Sequence, residues 1–150
     1  MELAVLVLLT SRLMTDEIHR QLAERGYASL RPAHGFAFQL IASRGGATGV
    51  ELADHLSVTR QAAGQMVDEL ERSGYVTRQP DPTDARLRRV HLSDRGREVL
   101  ELSARLWAAQ ERDWERLIGE QGIAAVQSGL AAFIQDRGGF DPPLRLRPTW

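Results

Sequence analysis

The chain has 150 residues, 43% hydrophobic and 26% charged, with no cysteine and a formal net charge of −1, a size and balance that suit one globular domain. Without cysteine there can be no disulfide, thiolate zinc site or thiol-based redox sensing by this chain. The N-terminal apolar run from Leu3 to Leu9 is too short to span a bilayer, and Glu2 stands where a signal peptide carries positive charge, so the expectation is a cytoplasmic protein without membrane contact.

In chain order, the first predicted element is a helix from about Leu3 to Arg25, with Leu6, Leu9, Leu13, Ile18 and Leu22 at helical steps and Gly26 just past its end. It carries more apolar surface than a lone helix tolerates in water. A second helix is expected from Pro32, which suits a first helical position, with Phe36, Leu40 and Ile41 as its apolar side and Gly45-Gly46 as its breaker. Arg31 stands at its cap position without a side-chain acceptor. Thr48 and Glu51 form a T-x-x-E capping box opening a short helix whose core side is Leu52, Ala53 and Leu56.

Ser57-Val58 makes a turn, and Thr59 is the expected N-cap of the next helix, which runs to about Ser73 and is ended by Gly74. Ala62, Ala63, Met66, Val67 and Leu70 face inward, whereas Arg60, Gln61, Gln65 and Glu69 face out. Polar residues on the exposed N-terminal part of such a helix suit contact with base edges in a major groove. Gly64, inside this helix, costs about 1 kcal/mol relative to alanine; it fits either close backbone approach to DNA or a tolerated drift position. Tyr75–Gln79 and Arg88–Leu92 alternate as two strands around the turn-rich segment from Pro80 to Leu87. Ser93 then caps a long helix from about Asp94 to Gly119, a final helix covers about 123–137, and residues 138–150 form a proline-rich tail.

Charge is informative locally. From Tyr75 to Arg97 there are six arginines (78, 86, 88, 89, 95 and 97) against three aspartates (81, 84 and 94), so a nearly neutral chain carries one basic edge. Arginine's planar fork suits phosphate, guanine and narrow minor grooves.

The order of helices and hairpin, the residues Leu52-Ala53, Leu56, Val58, Val67, Glu69-Leu70-Glu71 and Gly74-Tyr75-Val76, and the hairpin signature Asp84-Ala85-Arg86 together resemble the MarR family of bacterial transcriptional regulators over roughly residues 3 to 137. The resemblance implies a mainly α fold: a winged helix-turn-helix lobe at about 30–95, with dimerisation helices at 3–25 and 95–137, in a single domain. It further implies a homodimer that binds a pseudo-palindromic double-stranded DNA operator, most often as a repressor.

On that reading Thr59, Arg60, Gln61 and Gln65 belong to the reading helix. Asp84 braces neighbouring arginines, Arg86 enters the minor groove, and Arg88 and Arg89 take phosphate or bracing roles. Trp107, Trp114, Phe133 and the terminal helices are expected to form the dimer core. The family's habit of binding aromatic or phenolic acids in a crevice marks Arg12, His19, His34 and Phe36 as pocket candidates for a small effector.

Other chemistries find little support. His19, His34, His55 and His91 lack metal-ligand spacing, and the stretch from Gly45 to Gly49 lacks the lysine and length of a phosphate loop. No nucleophile has a recognisable base partner, so no catalytic residue, metal or cofactor is expected. The competing class is a winged-helix protein-interaction module that has lost DNA binding. It is favoured by the near-neutral net charge and disfavoured by the polar residues standing on the reading helix and hairpin.

Overall fold

The computed structural model describes residues 1–138, and the expectation for the rest of the tail lies outside them. The element order is α1 (Leu3–Glu24), α2 (Pro32–Arg44), β1 (Ala47–Thr48), α3 (Gly49–Leu56), α4 (Arg60–Arg72), β2 (Val76–Pro80), β3 (Arg88–Leu92) and α5 (Asp94–Asp136). The chain divides into two compact units, one comprising residues 1–18 with 103–138 and the other residues 19–102.

The unit of residues 19–102 is a winged helix. Its core gathers Phe38, Leu40 and Ile41 of α2, Leu52, Ala53 and Leu56 of α3, Ala63, Val67 and Leu70 of α4, and Tyr75, Val76, Val90 and Leu92 of the hairpin. These are nearly all the inward positions of the sequence pattern. Phe36 differs: it is half-buried, and Phe38 takes the core place instead. The three-stranded antiparallel sheet has the order β1-β3-β2, with Val76 opposite Leu92 and Arg78 opposite Val90. Strand β1 is only two residues long, pairing Ala47 with Val90 and Thr48 with Arg89, and so short a strand has no alternation for a sequence to show.

Local capping follows the side chains. The Glu51 N–H donates to Thr48 Oγ1 at 3.3 Å while Glu51 Oε2 accepts from the Thr48 N–H at 2.7 Å, which closes the reciprocal box expected at the start of α3. That second bond is the main reason the Glu51 carboxyl lies below its ordinary value. The Ala62 N–H donates to Thr59 Oγ1 at 3.1 Å at the start of α4. Arg31 has no acceptor to offer α2, and the ring of His34, three residues on, accepts the Arg31 N–H at Nδ1 instead, at 3.2 Å. Helix α5 packs its first turn so closely on the hairpin that a Cβ at Gly96 would lie 2.2 Å from the Tyr75 carbonyl oxygen, a position only glycine can fill.

The unit of residues 1–18 and 103–138 is built from helix alone. Gln110 Nε2 donates to the Met14 carbonyl at 2.8 Å, and Ile18 and Leu106 are buried. The helical run of α5 is interrupted at Gly119, whose φ of 77° and ψ of 165° leave the helix. The two terminal helices expected from sequence are therefore two segments meeting at this break. Apolar side chains stand exposed throughout the unit: Leu3 (74%), Leu8 (60%) and Leu13 (70%) on α1, and Leu117 (83%), Leu130 and Phe133 (62%) on α5. Helix α5 also contains an 18-residue window of mean hydropathy 1.3, sufficient by length and composition to cross a membrane.

Between α3 and α4, Ser57 adopts a left-handed conformation, φ 52° and ψ 43°, which costs a non-glycine residue roughly 1–2 kcal/mol. Replacing it with glycine removes that strain but adds entropy to the unfolded chain. Ser57→Gly is expected to raise stability by about 0.5–1 kcal/mol, read as a higher denaturant midpoint with an unchanged slope. A lower midpoint would show that the serine side chain contributes more than its backbone costs.

Candidate nucleic-acid interface

The exposed face of α4 begins at its N-cap. Arg60, Gln61 and Gln65 are all exposed, and Ala63, Val67 and Leu70 on the opposite side fix the helix against the core. A Cβ placed at Gly64 would meet nothing within 4 Å, so no packing inside the protein demands glycine there. Ala62 and Met66 are half-buried. The helix thus offers a polar stripe whose orientation is set by a hydrophobic one.

In the hairpin, the turn is organised by a single buried carboxylate. Asp81 Oδ1 accepts from the Thr83 hydroxyl at 2.6 Å, the Thr83 N–H at 2.8 Å and the Asp84 N–H at 3.2 Å, while Oδ2 accepts from Arg89 Nε at 2.7 Å. These donors, the Thr83 hydroxyl first and Arg89 next, hold its carboxyl well below the usual carboxylate range. Arg89 also donates through Nη1 to the Gly46 carbonyl at 3.0 Å. Arg89 is therefore engaged as a brace within the fold, its guanidinium bonded to both the turn and the residue before β1.

The expectation for Asp84 needs correcting in the same place. Its carboxylate accepts the backbone N–H of Arg86 at 3.0 Å and so shapes the tip, whereas the carboxylate bonded to a guanidinium is Asp81. Sequence reasoning missed Asp81 because the motif drew attention to the aspartate nearest Arg86. The signal was present as an Asp-Pro-Thr-Asp turn, in which the first aspartate commonly bonds the backbone two residues on.

Most of the six arginines of the basic edge are likewise engaged. Arg78 pairs with Asp68 at 2.5 Å and with Glu71. Arg95 lies over the Tyr75 ring, 4.7 Å from its centroid, and Arg97 bonds the Leu92 carbonyl at 2.8 Å and Asp94. Arg86 and Arg88 remain, both exposed and, among the described residues, without an ion pair or hydrogen-bonded side chain. Arg60 and Arg72 on α4 share that condition. Of the arginines of the basic edge and α4, those without a partner are thus at the wing tip and along α4.

The pocket candidates separate. Arg12 lies in the helical unit, exposed, 3.7 Å from Asp16. In the winged helix, His19 Nδ1–H donates to the Leu30 carbonyl at 3.1 Å, and Phe36 is half-buried. A cavity of about 180 Å³ is lined by Ser29, Leu30, His34, Glu69, Leu70, Arg72, Ser73 and Tyr75; of the four candidates only His34 reaches it. Among the described residues no cluster of His, Asp and Glu could hold a metal ion.

Comparison with known proteins places this arrangement. The family model described as "MarR family" matches residues 28–87, the span that carries α2 to the wing tip. Over that span, which holds most of the winged-helix lobe, the chain resembles the MarR family. That family consists of winged-helix transcription regulators, not enzymes. The fold is similar to that of reduced MarR from E. coli, with a TM-score of 0.75, 24% identity, and 89% of this chain and 97% of that one covered. It is also similar to YusO from Bacillus subtilis, with a TM-score of 0.70, 19% identity, and 88% and 92% covered. A point mutant of MepR from S. aureus, bound to an oligodeoxyribonucleotide, matches with a TM-score of 0.64, 16% identity, and 91% and 99% covered. No curated protein sequence matches significantly.

His34 gives the winged-helix lobe a pH dependence. It is 3% exposed, and burial, followed by the nearby Arg31 charge and only partly opposed by Glu69, lowers its pKa to about 4. Below pH 6.5 the unfolded chain takes up a proton that the folded chain refuses, so stability present above pH 6.5 is lost as pH falls towards 4. The loss attributable to His34 is on the order of 2–3 kcal/mol. His55, also lowered by burial, acts in the same direction. His34→Gln should flatten the stability profile between pH 6.5 and 4 in denaturant titrations; an unchanged slope would remove His34 as its source.

Proposed function

We propose that this chain works as a homodimeric, sequence-specific regulator that grips a pseudo-palindromic operator and represses transcription. The observation that carries this reading is the distribution of free cations. In a lobe where Arg78, Arg89, Arg95 and Arg97 are all engaged, Arg86 and Arg88 at the wing and Arg60 on α4 are left exposed and unpaired. The reading helix would enter the major groove with Thr59, Arg60, Gln61 and Gln65 at its leading end. Arg86 would reach the minor groove, Arg88 a phosphate, and Asp84 would hold the tip in shape. The MepR variant bound to an oligodeoxyribonucleotide supports the binding of nucleic acid by a similar fold.

The alternative, a protein-interaction module, is favoured by the near-neutral net charge alone, whereas the unpaired arginines beside an unhindered helix backbone at Gly64 favour DNA. Release by a small aromatic or phenolic effector fits the same reading if the effector binds the DNA-competent and DNA-incompetent states with different affinity.

Each arginine that neutralises one phosphate contributes about 0.9 to the salt slope of binding. Arg88→Ala is therefore expected to lower the slope of log K against log salt by about 0.9. Arg86→Ala should cost roughly 1–3 kcal/mol and relax preference at one operator position. Fluorescence anisotropy with the DNA upstream of the chain's own gene, at several salt concentrations, measures both. Unaltered affinity and slope in the two variants would remove the wing from the interface.

The dimer rests on the helical unit, where leucines at positions 3, 8, 13 and 117 stand exposed in the single chain. A helix apolar on most of its sides is stable in water only when covered. Sedimentation should find a dimer at micromolar concentration, and Leu8→Asp combined with Leu13→Asp should yield a folded monomer with weak operator binding. A wild-type monomer at that concentration would overturn the homodimer.

A further inference from the structure

Arg78 is the one arginine of the basic edge that ties the wing to the reading helix. Its guanidinium bonds Asp68 at 2.5 Å through Nη2 and Glu71 through Nη1, and its backbone N–H donates to Glu71 Oε1 at 3.1 Å. Asp68 and Glu71 lie on α4, and Arg78 is at the centre of β2, the edge strand of the sheet. The backbone bond is informative, because an edge strand otherwise leaves such an N–H to solvent. Glu71 accepts from both the backbone and the side chain of the same residue, so the strand itself, and not merely a flexible side chain, is fastened to the helix.

The other side of the hairpin has its own fastening. On β3, Arg89 bonds Asp81 and the Gly46 carbonyl. With both strands anchored, the tip bearing Arg86 and Arg88 has a fixed base. Two rigid elements that must meet neighbouring grooves at once gain affinity when their separation is set beforehand, since the ordering cost is already met in the free protein.

We propose that Arg78, through Asp68 and Glu71, is a positioning residue for DNA binding: it sets the wing against the reading helix without touching DNA. The proposal rests on the DNA-binding reading above and deepens it.

Electrostatics and positioning make opposite demands on Asp68 and Glu71. The double variant Asp68→Asn, Glu71→Gln removes two negative charges beside the interface and frees Arg78. A purely electrostatic role for these groups requires tighter operator binding and a steeper salt slope. Positioning requires binding at least about tenfold weaker despite the more favourable charge. Arg78→Met should weaken binding by a similar factor with the salt slope unchanged, because no phosphate contact is lost. Amide hydrogen exchange of the free variants supplies a readout that does not involve DNA: the wing amides, Arg86 and Leu87 among them, should exchange faster while the amides of α3 keep wild-type protection.

Tighter binding by the double variant, or a slope reduced by about 0.9 in Arg78→Met, would overturn the proposal, as would wild-type affinity in both. If the unaltered protein fails to bind its upstream DNA, the DNA-binding reading fails by itself, and exchange still judges the clamp: wild-type exchange in the wing of both variants would refute it.

Discussion

The contact on which the winged lobe depends most is the bond between Asp81 and Arg89. A carboxylate shielded from water needs hydrogen-bond donors, and at Asp81 four of them converge. Three of those donors come from the turn itself and the fourth from β3, so one carboxylate shapes the wing tip and joins it to the sheet. Arg89 carries the connection onward to the Gly46 carbonyl, just before β1 and the capping box that starts α3. From the wing tip to the first helix of the helix-turn-helix, the path is a chain of charge-assisted hydrogen bonds in place of a run of apolar contacts.

That use of arginine changes the meaning of the basic edge. Counted by sequence, residues 75–97 hold an excess of three positive charges. Counted by partner, Arg78, Arg89 and Arg97 each face a carboxylate, and Arg95 lies over aromatic rings. The positive field left for a polyanion comes chiefly from Arg86 and Arg88, with Arg60 and Arg72 on α4. A lobe that spends arginines on rigidity presents few free cations, but presents them from fixed positions. Near-neutral net charge is therefore compatible with DNA binding by such a lobe, because placement and not total charge decides the local field.

How much of this was legible in the sequence depended on whether a feature is written in one segment or in two. The capping box of Thr48 and Glu51, the cap at Thr59 and the apolar faces of α3 and α4 are local patterns, and they fold as their spacing indicates. Strand β1 was not legible because two residues have no period, and its existence is owed to β3. The choice between Asp81 and Asp84 as the brace for Arg89 was not legible either, since both lie within a few residues of the turn and only the hairpin's register decides which faces the guanidinium. Likewise Phe36 and Phe38 both fit a helix, and the neighbouring hairpin and Tyr75 select Phe38, whose ring lies 5.9 Å from that of the tyrosine. A pocket is the least legible feature, because it is made by several segments at once and a single chain's sequence records none of their distances.

The shortage of free cations bears on why such a lobe should be duplicated. With about four unpaired arginines, of which Arg88 is the one assigned to a phosphate, one lobe has few cations with which to release counterions. Two lobes held by a common scaffold double that number, and the second engages at an effective concentration set by the scaffold, not by bulk protein. This works only if the lobes cannot drift apart, which argues for a large apolar contact and not a flexible tether. The leucines left exposed along α1 and the distal part of α5 are the side chains from which such a contact would be made. Exposed apolar surface in one unit and sparse free charge in the other both fit the proposal that the chain works as a dimer.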